Sequence, residues 1–148
     1  MRIDYRTIDS TAALFAAART YFKQAPRRCG GQVPGEEDKV YCLYREDGTS
    51  GSPHTCVAGA FLPDELWTPD KNYARLRAVL HEIEQDNDPD IATHPFVEWC
   101  RRHVNTLVDL QRIHDSDKNW RPEGLGSLGW AQFNLLEATS LRPPETPA

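Results

Sequence analysis

Apolar residues fall along the chain in several distinct rhythms. Over 10–24 the stretch STAALFAAARTYFKQ sets Leu14, Phe15, Ala18, Tyr21 and Phe22 at helical spacing, with Asp9 or Ser10 as cap and Pro26 as stop. Gly, Pro and charge dominate 26–38, which reads as a loop. KVYCLYR, 39–45, alternates as a strand does: Val40, Cys42 and Tyr44 take one face, and Tyr41, Leu43 and Arg45 the other. Asp47-Gly48, inside EDGTSGSPHT, is the strongest hairpin signal in the chain. CVAGAFL, 56–62, answers that strand either as a second strand or as the first turns of a helix, because seven residues do not separate the two periods.

Thr68-Pro69 marks a helix start, and 69–85 carries Tyr73, Leu76, Val79, Leu80 and Ile83 on one apolar stripe. A connector at 86–94 leads to a long helix from Pro95 to Ile113 or His114, capped by Thr93 or His94. A loop over 115–127 precedes a last helix from Ser127 to Ala138. The pattern predicts an α+β fold: a mostly helical single domain of about four helices with one small β-hairpin or sheet. That domain is expected to span 1–140, followed by a flexible tail at 141–148.

Composition narrows the class. Of 148 residues, 39% are hydrophobic and 26% charged, which is the globular range. A net charge of −5 argues against direct nucleic-acid binding, which needs a basic face for phosphates. No window holds the roughly 18 apolar residues that cross a bilayer, and MRIDYRTIDS carries no apolar signal segment. A cytoplasmic setting without membrane attachment follows as the expectation. There the four cysteines are expected as free thiols rather than disulfides.

Candidate chemistry gathers in three places. On the long helix Phe96, Cys100, His103, Leu107, Leu110 and His114 share one face, but His103 and His114 stand about 16 Å apart along the axis and cannot share an ion. Cys100 and His103 are one turn apart and supply only half of a zinc site. Both histidines read more simply as core-edge groups bonded to a carbonyl or carboxylate. Around the Asp-Gly turn, Cys42, His54 and Cys56 lack the tight C-x₂-C pair of a zinc knuckle, so neither a metal nor a cofactor is expected. Cys56 at a helix start would have its thiol pKa lowered, which opens a catalytic reading with His114-Asp115 or His54 as helpers; packing as small hydrophobes is the competing reading for Cys42 and Cys56. Finally, LPDELWTPD clusters Asp64, Glu65 and Asp70 beside Trp67. There is no Gly-rich phosphate cradle, no Gly-x-Ser-x-Gly elbow and no His-Glu-x-x-His pair.

Two blocks carry a resemblance. YCLYREDG followed by CVAGAFLPDELW, and then LVDLQRIHDSDKNW, resemble small bacteriophage and prophage proteins that read Cys-x-Tyr-Arg, Cys-Ala-x-Gly, Pro-Asp, and later Leu-Gln-x-x-His-Asp with a following Trp. The matching residues of the second block are Leu110, Gln111, His114, Asp115 and Trp120; the chain departs in its expanded turn TSGSPH and in Val57. The resemblance implies a phage or mobile-element origin and the cytoplasm of a bacterial host, and it implies no activity. The paired blocks suggest that Cys42, Arg45, Cys56, His114, Asp115 and Trp120 converge, with a protonated His114 favoured by the helix end and Asp115, and Arg45 pairing with Asp115.

The functional expectation is a non-enzymatic accessory protein that binds a host protein, as in the blocking of a defence component, with Trp67, Asp64, Glu65 and Asp70 as contacts. The alternatives are a cysteine-dependent hydrolase or transferase using Cys56 or Cys42 with a histidine, and a protein that sequesters a small ligand or nucleotide in a preformed pocket.

Overall fold

The longest apolar stripe of the sequence becomes the axis of the molecule. A computed structural model describes residues 1–31 and 41–143, with the backbone alone at 31, 41 and 42. The described helices are α1 (Thr11–Gln24), α2 (Val57–Phe61), α3 (Leu76–Glu84), α4 (Pro89–Ala92), α5 (Pro95–Asp115) and α6 (Ser127–Ser140). With 21 residues α5 is about 31 Å long, and α2, α3 and α6 all pack against it. The fold is a mostly helical α+β arrangement. Its strands are two-residue pairs: β1 (Gly30–Gly31) runs antiparallel to β2 (Tyr41–Cys42), and β3 (Trp120–Arg121) to β4 (Gly124–Leu125).

One hydrophobic core runs the length of α5. Near its start Trp99 stacks on Phe61 and anchors its indole N–H to the carbonyl of Ile8 at 3.0 Å. Beyond its far end Phe22 and Phe15 of α1 meet Phe133 of α6 edge-to-face. The residues that periodicity placed inside α1 are the ones buried there: Leu14, Phe15, Ala18, Tyr21 and Phe22. Ser10 is its cap, accepting from the amide of Ala13. No helix among the described residues is long and apolar enough to cross a membrane.

Three expectations are corrected. Asp47-Gly48 does turn the chain, with Gly48 at φ +76° and the Glu46 amide reaching the His54 carbonyl, but it joins no pair of strands. The partner of Tyr41–Cys42 is Gly30–Gly31, inside the stretch expected as loop. Of the two readings open for 56–62, the helix is the one that forms, as α2. The reason is burial on every side: Cys56, Val57, Ala58, Gly59, Ala60, Phe61 and Leu62 are all enclosed, so the two-faced alternation of a half-exposed strand has no place here. Likewise Leu43, Tyr44 and Arg45 are all buried instead of alternating.

The expected helix over 69–85 is interrupted. A 3-10 turn at Pro69–Lys71 is followed by Tyr73 at φ +72°, and α3 begins only at Leu76. Asn72 is locked because its side-chain amide exchanges both hydrogen bonds with the backbone of Arg45, at 3.1 and 2.9 Å. The carbonyl of Ala74 is held by the Tyr44 hydroxyl at 3.0 Å. Tyr73, between two pinned neighbours, takes up the turn and leaves the core with 48% of its surface exposed. The connector also holds a short helix, α4, capped by Asp88. Lys39 and Val40, and most of the expected C-terminal tail, lie outside the described residues.

Candidate functional site

The two resembling blocks meet at α2. A five-residue helix holds few internal hydrogen bonds, so its ends depend on outside partners. At its start Cys56 Sγ accepts from the amide of Gly59 at 3.2 Å, and the side-chain oxygen of Gln111, from α5, accepts from the amide of Ala58 at 3.0 Å. At its end stands Arg45, fully enclosed. The guanidinium donates to the carbonyls of Gly59 at 2.7 Å, Leu62 at 2.8 Å, Tyr44 at 2.8 Å and Ser50 at 3.2 Å, and to the carboxylate of Asp64 at 2.9 Å. All five of its N–H groups are used. A Cβ at Gly59 would lie 2.8 Å from the Tyr44 carbonyl oxygen, so only glycine lets α2 rest on that backbone. Arg45 therefore pairs with Asp64 and not with Asp115, because its plane is turned towards the last carbonyls of α2.

His114 is the second hub. Its Nε2 accepts from the backbone amide of Cys29 at 3.3 Å and its Nδ1 lies 2.9 Å from Asp115 Oδ1. An acceptor at Nε2 requires the proton on Nδ1, where it is donated to Asp115. Trp120 stands edge-on to the ring and bonds the His114 carbonyl at 2.7 Å. Burial pushes the His114 pKa below its ordinary value despite the hydrogen bond and charge of Asp115. The expectation of a protonated His114 is thus corrected: removal from water outweighs the helix end. The ring also meets the backbone of Cys29, which the sequence had not singled out.

The three cysteines whose side chains are described are all buried. Cys56 does cap a helix start, but it is wholly enclosed. Cys29 donates its S–H to the Leu43 carbonyl at 3.2 Å, and burial followed by the nearby Cys56 raises its pKa well above the ordinary thiol value. Burial lifts Cys100 to about 12. Cys42 contributes its backbone to β2, and its side chain lies outside the described residues. His103 sits against Trp99, with 5.0 Å between ring centres, and His54 is exposed at the Asp-Gly loop. Among the described residues no three His, Cys, Asp or Glu side chains gather as metal ligands.

Of the expected contact cluster, Trp67 is placed differently. Trp67 retains 8% of its surface and belongs to the core, so it is no exposed anchor. The carboxylates remain at the surface with partners: Asp64 takes Arg2 at 2.6 Å as well as Arg45, Glu65 takes His94 at 3.1 Å, and Asp70 takes the Thr68 hydroxyl. Burial alone would raise the Asp64 pKa, and the two arginines outweigh it to leave a net lowering.

What stands open lies on the other side of the hubs. A cleft of about 630 Å³ runs between the start of α3 and the last turns of α5. Tyr73, Arg75, Arg77 and Arg112 form its rim, and Gln111 and Asp115 belong to its lining. Arg77 bonds the neutral side chain of Asn105 at 2.6 Å, and Arg112 reaches the exposed Asp109 at 3.1 Å. Arg75 has no partner among the described residues. It is also the N-cap of α3, which lacks a side-chain cap and any acidic residue in its first turn. A smaller cavity of about 190 Å³ lies near Cys29, Arg27 and His54.

Sequence reasoning reached Gln111, His114 and Asp115 through their block, yet it missed Cys29 and the arginines. One faint signal was present: Ala74-Arg75-Leu76 offers no Ser, Thr, Asp or Asn cap. Arg112 joins the rim only through the tertiary fold. Comparison with protein-family models, curated proteins and solved structures finds no match to this chain.

Proposed function

We propose that this is a non-enzymatic binding protein that holds a small anionic ligand in the cleft between α3 and α5. One observation carries the reading: in a chain of net charge −5, three arginines line a cavity of ligand size in which Asp115 is the one carboxylate among the described residues. The thiols whose side chains are described do not favour a catalytic centre. Cys29, Cys56 and Cys100 are buried, and His114 has its acceptor nitrogen turned to the backbone amide of Cys29. The resemblance to phage proteins accords with capture of a molecule from a bacterial host.

The test is retention. Purified protein is equilibrated with the low-molecular-weight fraction of a bacterial lysate, desalted and denatured, and the released compounds are identified by mass spectrometry. The wild type retains an anionic compound that the double variant Arg75→Glu/Arg112→Glu loses, while both keep the same melting temperature. Equal retention by the two proteins, or none by either, contradicts the reading.

A second reading keeps a host protein as the partner. Leu128 and Leu135, 46% and 69% exposed, lie seven residues apart on one face of α6. Replacing both by lysine removes a protein partner bound there and leaves small-ligand retention untouched.

A further inference from the structure

We propose that the cleft between α3 and α5 is a nucleotide site, taking a nucleoside monophosphate with its phosphate on Arg75, Arg77 and the start of α3 and its planar base on Tyr73. The inference rests on the reading of that cleft as the recognition site and adds the class of ligand.

The phosphate end follows from charge and geometry. Arg75 and Arg77 flank the first residue of a nine-residue helix. The first amides of that helix lack intrahelical partners, and no side chain caps them. Both arginines belong to the cleft lining, and guanidinium groups beside an uncapped helix start favour an anion there. Arg112 approaches from α5, across the cleft, so the positive charge comes from two separate elements.

The base end follows from Tyr73. An aromatic residue at φ +72° occupies backbone space that glycine or asparagine fills more readily. Such a conformation is held here by Asn72 and Ala74, and its result is a half-exposed aromatic ring beside the arginines. Strained residues of this kind gather at ligand sites, and a flat ring is the surface on which a base stacks. Asp115 supplies an edge contact. Its Oδ1 takes the Gln111 amide at 2.8 Å and His114, while Oδ2 has no partner among the described residues. That oxygen accepts from the exocyclic amine or ring N–H of a base, or from a ribose hydroxyl. His114 and Gln111, both buried, hold the carboxylate in place.

Calorimetric titration of the full chain with AMP, GMP, CMP and UMP, and separately with adenosine and inorganic phosphate, tests this. At least one nucleotide is expected to bind about tenfold or more tighter than either adenosine or phosphate. Arg75→Glu and Tyr73→Gly are each expected to weaken it by about tenfold or more. Glycine accepts the backbone conformation, so Tyr73→Gly keeps the fold, checked by circular dichroism. Phosphate binding as tightly as every nucleotide, adenosine binding as tightly as AMP, no binding by any of them, or Tyr73→Gly without effect each overturns the assignment. If the lysate fraction yields a different compound that Arg75→Glu/Arg112→Glu loses, the ligand class fails and the cleft reading stands. If the double variant retains everything the wild type does, both fail.

Discussion

Arg45 and Arg75 are the same residue put to opposite uses. Arg45 has no exposed surface, and all five of its donors are spent on four carbonyls and one carboxylate. Arg75 lies at the surface of a cleft with no described partner. A buried guanidinium with every donor satisfied is a structural element: it closes the end of α2 and joins the Asp-Gly loop to the chain beyond Leu62. An exposed one beside an uncapped helix start keeps its charge available. The sequence block that looked most chemical, Cys-x-Tyr-Arg, therefore builds the scaffold, and the open chemistry lies at residues of no apparent motif.

The comparison breaks first at Arg45. Arg45→Met takes the guanidinium donors from the carbonyls of Leu62 and Tyr44, leaves Gly59 with the Leu62 amide alone, and is expected to cost about 3–5 kcal/mol, read by urea denaturation. A loss below about 1 kcal/mol contradicts the structural role. Gly59→Ala comes next. Its methyl group would meet Tyr44 main-chain atoms at 2.8 and 2.9 Å, so α2 must shift, at about 1–3 kcal/mol or more. A variant as stable as the wild type removes the close approach from the account.

Acidity acts at the other hub. Because burial holds His114 below its ordinary pKa of about 6.5, the unfolded chain takes up a proton in a range where the folded chain refuses it. Stability is full above about pH 6.5 and falls as pH drops from there towards the lower folded value. Denaturation midpoints measured along a pH series check the sign, and His114→Gln is expected to flatten that part of the curve. Stability that rises as pH falls through the same window contradicts a neutral, buried imidazole.

The smallest change in stability sharpens the contrast most. Arg75→Glu is expected to shift unfolding by no more than about 0.5 kcal/mol, because it breaks no described contact. The same variant is expected to lose the ligand. A variant that loses both stability and ligand would make Arg75 another Arg45.

Much of the helical frame was legible because helices write their period into the sequence: each residue assigned to the buried face of α1 is buried, and α5 begins at its proline with His94 as cap. Short elements were not legible. The seven residues around α2 do not separate strand from helix, and its ends are supplied by Arg45 and Gln111, outside that stretch; Tyr73 stays on the apolar stripe of α3 until Asn72 is tied to Arg45. Trp67 was expected as a contact beside its acidic neighbours, whose character says nothing of where its own ring turns. The cleft was invisible for the same reason. Arg75 and Arg112 are 37 positions apart, and only the packing of α3 on α5 makes them neighbours across one opening.

The central claim, that recognition belongs to the open arginines and not to the enclosed thiols, meets its most direct test in amide chemical-shift mapping of the ¹⁵N-labelled chain against the low-molecular-weight lysate fraction. Perturbations are predicted to cluster at 73–77 and 108–115 and to vanish in Arg75→Glu. Perturbations centred instead on His54, Cys56 and Cys29, or a spectrum that does not change, would contradict it.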